Sequence, residues 1–230
     1  MALILHLETA TPVCSVALSQ DGNLLEIRES AEDKSHATRL TLFIQDILDN
    51  RKLLIPDLDA ISLSLGPGSY TGLRIGTSVA KGLCYGAAKP LIGIPTLQAL
   101  AALFLSSGQV SEGWLCPMLD ARRMEVYTAL YNIGLSEISP AEALVLQPGS
   151  FDRILDQHKV WFFGNGSSKA AGIIHHPNAI FAEPLPLSAT GQIQLAEAAF
   201  KKGEFLDTAY FEPHYLKEFI ATVPKNKILG

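Results

Sequence analysis

The chain has 230 residues, of which 48% are hydrophobic and 18% charged, and a formal net charge of −5. This composition excludes a disordered chain and allows one large core or two smaller ones. The acidic balance argues against phosphate-driven nucleic-acid binding as the main role and leaves room only for a local basic patch.

Strands are predicted over 2–10, 14–19 and 24–30, with the QDGN turn (20–23) joining the last two. The opening MALILHLETA has no basic region and meets Glu8 early, so it reads as a buried strand rather than a signal peptide. Leu40, Phe43, Ile44, Ile47 and Leu48 recur at helical spacing, predicting a helix over 35–50 with Ser35 as N-cap and Asn50 near its end. A strand at 59–65, a helix at 71–87, a strand at 91–94 and a helix at 96–106 complete a βββαβαβα order. The polar SSGQVSEG (106–113) marks a boundary, giving an N-terminal half over 1–107 and a C-terminal half over 108–230. The second half repeats the order: strands at 114–121, 124–132 and 142–148, a short helix at 149–157, a strand at 159–164, a helix at 166–175, a strand at 179–183 and a helix at 188–202. That last helix is a candidate to pack back on the first half. The expected architecture is α/β, a duplicated actin-like fold of the ribonuclease H-like (ASKHA) kind.

No apolar run reaches the roughly 18 residues of a membrane helix, so a cytoplasmic protein without membrane contact is expected. Cys14, Cys84 and Cys116 form no CxxC pair and stand among apolar neighbours, which reads as buried free thiols. Asp120 and Arg122 at a turn read as a turn cap with an ion pair.

The segment SLGPGSYTGLRIGTSVAKG (64–82) leads from a strand through a glycine turn into a helix. Turns of this shape often hold phosphate. A nucleotide site would use Glu8, Thr9, Thr11, Gly66, Gly68 and Ser69, with Gly164 and Gly166 from GNGSS (164–168) in the second half. Neither loop is a Walker A, and neither is a G-x-G-x-x-G with a downstream acid. Gly72 and Gly76 fall inside the helix, where each costs about 1 kcal/mol relative to Ala. With Ala80 they form one stripe, which implies close helix–helix contact within the fold or across an interface.

LETATPVCSVAL (7–18), SLGPGSYTGLRIGTSVAKGL (64–83), IGIPTLQAL (92–100), MLDARRMEVY (118–127) and EPHYL (212–216) resemble the TsaB (formerly YeaZ) family. That family serves the formation of threonylcarbamoyladenosine in tRNA. The resemblance implies a scaffold and activator without catalysis of its own. It would pair with TsaD (the Kae1/Gcp type), the subunit that transfers the threonylcarbamoyl group to the adenosine beside the anticodon. The TsaE ATPase would be a third member, and self-association as a homodimer is expected as well. tRNA is expected only through the complex. Partner contact is implied for the helices at 35–50 and 71–87, through His36, Leu40, Phe43, Tyr70, Thr71, Gly72, Arg74, Ile75, Gly76, Val79, Ala80 and Leu83. TsaD-like proteins hold a metal with H-x-x-x-H. Thr96 and Leu100 stand at the aligned positions, so no metal is expected. No cofactor of its own is expected, with ATP or ADP a candidate at a partner interface. The competing readings are a stand-alone actin-fold ATPase or kinase and a glycoprotease-type metallopeptidase.

Overall fold

The computed structural model describes residues 2–31 and 36–217. Leu3–Glu8 (β1), Cys14–Gln20 (β2), Asn23–Ser30 (β3), Ala60–Ser64 (β4) and Leu91–Ile94 (β5) form one sheet in the order β3-β2-β1-β4-β5. Trp114–Asp120 (β6), Glu125–Tyr131 (β7), Glu137–Val145 (β8), Val160–Phe163 (β9) and Ala179–Phe181 (β10) form the other, in the order β8-β7-β6-β9-β10. In each sheet the first three strands pair antiparallel, and the fourth joins the first in parallel. Each fifth strand joins its fourth in parallel. The same order and the same strand directions in both halves make the duplication explicit.

Local chemistry accounts for the elements. β1 is central and covered on both faces, so it is a nearly continuous apolar run rather than an alternating one. Asp21 and Gly22 both take positive φ, 51° and 77°, as a two-residue hairpin turn demands. His36–Arg51 (α1) buries Leu40, Ile44, Ile47 and Leu48. Ser35, its expected N-cap, lies outside the described residues. Tyr70–Ala87 (α2) is capped by Ser69, whose Oγ accepts from Gly72 N at 3.2 Å. Thr96–Ser106 (α3), Asp152–Leu155 (α4), Ser167–Ala171 (α5) and Ile193–Lys202 (α6) follow, with 3-10 turns at Ile55–Asp57 and Ala189–Gln192.

Several expected boundaries move: the helices expected over 149–157 and 166–175 shorten to Asp152–Leu155 and Ser167–Ala171, and the strand expected over 179–183 ends at Phe181. β8 begins at Glu137 rather than 142, because an edge strand with one solvated face tolerates the polar ISPAE run and its proline. The helix expected from 188 begins with a tighter turn, Ala189–Gln192, capped by the Ser188 hydroxyl. That turn points Gln192 inward.

The halves exchange helices. α3 lies on β6 and β7 of the second sheet, while α6 lies against β5 and β1 of the first. A shared core results, holding Ile4, Ile92, Leu97, Leu100, Leu115 and Leu187, with Phe104 stacked on Phe163 at 4.0 Å. Cys14, Cys84 and Cys116 are free and buried, and burial pushes their thiols up to about 11, 12 and 12.

Candidate functional site

Glu8 ends β1 at the centre of the first sheet and is fully buried. Its Oε1 accepts from Ala10 N at 2.7 Å. Its Oε2 accepts from the Ser64 hydroxyl and from Gln192 Nε2, the latter at 3.3 Å. Gln192 comes from the second half. It donates to the Leu7 carbonyl at 2.9 Å, and its Oε1 accepts from Ser62 Oγ at 2.8 Å. Ser62 Oγ lies 2.7 Å from His6 Nδ1, and Ser19 Oγ lies 2.7 Å from His6 Nε2. Since Ser62 gives its proton to Gln192, it accepts from His6, which is therefore the Nδ1–H tautomer taking a bond from Ser19. A polar seam thus runs across the interior of the molecule with its groups satisfied. Burial pushes the Glu8 carboxyl above its ordinary value, opposed by the bonds from Ser64, Ala10 and Gln192. Burial drives His6 down to about 3, so it stays neutral.

The glycine turn is closed by the chain's own backbone. Gly66 has φ +109°, and a Cβ there would stand 2.5 Å from the His214 carbonyl oxygen. A Cβ on Gly68 would stand 2.5 Å from the Ala10 carbonyl oxygen, and one on Gly72 would stand 2.0 Å from that of Thr9. On Gly76 it would meet Thr9 Oγ1 at 2.4 Å. Thr9 Oγ1 donates to the Gly72 carbonyl at 2.8 Å, and Ser69 N donates to the Ala10 carbonyl at 2.7 Å. Thr11 is buried, and its carbonyl lies 2.9 Å from His36 Nε2. In the second half Gly164 and Gly166 back onto β6, with Met118 O and Leu119 C at 2.4 and 2.9 Å from their would-be Cβ atoms. Glu8, Thr9, Gly66 and Ser69 are therefore engaged by neighbouring groups of the chain, namely Ala10, Ser64, Gln192, Gly72 and Thr96, while the buried Thr11 hydroxyl has no hydrogen-bond partner among the described residues. The space left between the halves is an apolar cavity of about 190 Å³ lined by Thr11, Pro12, Val13, Leu119, Asn165 and Leu185 among others. Small-molecule pockets usually span roughly 300–1,000 Å³.

The residues expected at a partner surface divide by burial. Leu40, Gly72, Gly76 and Ala80 face inward and are buried, and the glycine pair meets the Thr9 loop rather than a second helix. His36, Phe43, Tyr70, Ile75, Val79 and Leu83 are half-buried, while Thr71 and Arg74 are exposed. The α2 glycines that do face outward are Gly82 and Gly86, where an added Cβ would meet nothing within 4 Å among the described residues. Beside them Tyr85 is 88% exposed, and on α1 Leu42 is 50% exposed. The KGLCYGA run carries the same four-residue glycine spacing, and that spacing is the signal that could have marked this second stripe.

Asp120 forms both a turn cap and an ion pair, as its spacing from Arg122 suggests, although the ion-pair partner is Lys169. Its Oδ1 accepts from Arg122 N at 2.6 Å and from Lys169 Nζ at 2.8 Å. Partial burial would raise this carboxyl, and those bonds outweigh it and hold the group below its usual value. Among the described residues no three His, Cys, Asp or Glu side chains gather as metal ligands would.

Two like-ordered sheets with exchanged helices define a duplicated actin-like α/β protein. The activator of 2-hydroxyisocaproyl-CoA dehydratase from Clostridium difficile shares that fold at 10% identity, with a TM-score of 0.51 over 88% of this chain and 96% of its own. YeaZ from Pseudomonas aeruginosa is far nearer, at 28% identity and a TM-score of 0.80, covering 94% of this chain and all of that one. The family described as "TsaD: tRNA N6-adenosine threonylcarbamoyltransferase" matches residues 29–152. The tRNA threonylcarbamoyladenosine biosynthesis protein TsaB of Escherichia coli is 31% identical over 229 residues, 95% of this chain and 96% of its own. The Bacillus subtilis TsaB is 32% identical over 62% of each chain. This chain belongs to the TsaB (YeaZ) family.

Proposed function

We propose that this chain serves threonylcarbamoyladenosine biosynthesis in tRNA as an accessory subunit, docking a TsaD-type catalytic subunit through the outer face of α1 and α2. The observation that carries this reading is the closed interior. The strand end and glycine turn that could cradle a phosphate hold the chain's own carbonyls, hydroxyls and Gln192 instead. What the chain offers to another molecule lies outside, where Gly82 and Gly86 leave the α2 backbone open beside Tyr85. Helix-interior glycine costs about 1 kcal/mol, and close approach by a second body is what offsets it. The family names of the relatives support the pathway, and the open glycine stripe supports the docking face. Adding the purified chain to its TsaD-type counterpart should give one species on gel filtration and raise threonylcarbamoyladenosine formation. Separate elution together with unchanged product formation would refute the proposal.

A further inference from the structure

The β6–β7 turn carries two arginines in succession with left-handed backbone, Arg122 at φ 69° and Arg123 at φ 48°. Turns of this geometry favour Asn-Gly or Asp-Gly, so local conformational preference does not select arginine here. The turn is held firmly instead. Asp120 Oδ1 caps Arg122 N, and Ala121 N and Glu125 N donate to Glu125 O and Arg122 O at 3.1 and 3.2 Å. Both arginines are exposed, and neither guanidinium has a hydrogen bond or ion pair among the described residues.

Other cations converge on the turn. Lys169 Nζ bonds Asp120 Oδ1 and the Glu125 carbonyl, and Lys217 Nζ bonds the Glu125 carboxylate. Four cations therefore stand against two carboxylates, in a chain whose total is acidic. Lys217 is brought there by the segment that follows α6. His214 N donates to Leu65 O at 2.7 Å, and the Tyr215 ring packs on Tyr70 at 4.8 Å. Arg74 covers the Tyr70 ring at 4.3 Å. A strip of guanidinium, tyrosine and ammonium groups thus crosses from α2 to the β6–β7 turn. Cations for phosphates beside flat rings for bases are elements of RNA recognition, while arginine and tyrosine also anchor protein interfaces, which is the opposing outcome of the test below.

We infer that this strip contacts RNA directly, with Arg122 and Arg123 as ligands for backbone phosphates. The inference rests on the proposed role in tRNA modification, and it replaces the expectation that tRNA is reached only through a partner. The test is fluorescence anisotropy of a labelled tRNA transcript with the full chain, alone and mixed with the TsaD-type counterpart, over a salt series. Arg122→Gln with Arg123→Gln keeps polar side chains and removes both charges. The double variant should bind roughly tenfold more weakly at low salt, with the slope of log affinity against log salt reduced by about 1.5, since each phosphate contact contributes about 0.7–0.9. Its thermal midpoint and its co-elution with the counterpart should not change. Equal affinity and slope in the two proteins would overturn the inference. So would loss of co-elution, which would make the turn a protein contact. If the wild-type chain fails to bind the counterpart yet shows the arginine-dependent slope, the docking proposal fails and this one stands.

Discussion

Gly72→Ala and Gly82→Ala are the same substitution on the same helix, and they should move stability in opposite directions. Replacing glycine by alanine inside a helix ordinarily gains about 0.5–1 kcal/mol. At Gly82 nothing among the described residues lies within 4 Å of the new methyl, so that gain should appear undiminished. At Gly72 the methyl would stand 2.0 Å from the Thr9 carbonyl oxygen. The backbone there is also held by the bond from Thr9 Oγ1 to the Gly72 carbonyl, so relief would break that bond. Overpacking of this kind costs about 1–3 kcal/mol, and the lost buried bond about 1 more, giving a net loss of about 2 kcal/mol. For a chain of this length 1 kcal/mol shifts the midpoint by about 2–4 °C. Calorimetry should therefore place Gly72→Ala about 4–8 °C below the parent and Gly82→Ala about 1–4 °C above it. A Gly72→Ala protein as stable as the parent would refute the claim that the inner glycines exist to admit the Thr9 loop.

The duplication was legible from the order of elements alone, because strand runs such as LILHLE and amphipathic helices such as α1 announce their own type. The glycines at 72 and 76 were legible as close-approach positions, but what approaches them was not. Helical spacing states which residues share a stripe and says nothing about whether that stripe faces a loop 60 residues upstream or another chain. The polar seam was invisible for a related reason. His6, Ser62 and Gln192 belong to three separate elements, and only the parallel pairing of β1 with β4 and the inward 3-10 turn bring them together. Within β1 a lone histidine between two leucines looks like an exception to burial, whereas its two serine partners make it part of the core.

Gln192→Ala should cost about 2–4 kcal/mol in thermal or urea unfolding, since it strands the Leu7 carbonyl and takes a donor from Glu8 in a dry interior. A loss below 0.5 kcal/mol on the order of measurement error would show the seam to be unimportant. The seam also sets a pH dependence with two opposed signs. Glu8 is raised by burial, so its contribution to stability falls as pH rises above its ordinary value of 4.5. His6 is lowered from 6.5 to about 3, so its contribution is intact above 6.5 and is lost as pH falls toward 3. Glu8→Gln removes the first and leaves the second. Stability of that variant should fall by about 1.4 kcal/mol per pH unit between 6.5 and 4.5, more steeply than in the parent protein. Parallel profiles for the two proteins, measured by urea titration, would contradict the burial of Glu8.

The dissociation constant of the complex with the TsaD-type counterpart, compared between the parent chain and Gly82→Leu, tests the account most directly. A Cβ at Gly82 would meet nothing within 4 Å among the described residues, so the leucine, like alanine there, should raise the thermal midpoint by about 1–4 °C rather than lower it. It should weaken the complex at least tenfold, which is about 1.4 kcal/mol, by blocking close approach to α2. Equal constants for the two proteins would contradict docking through this face.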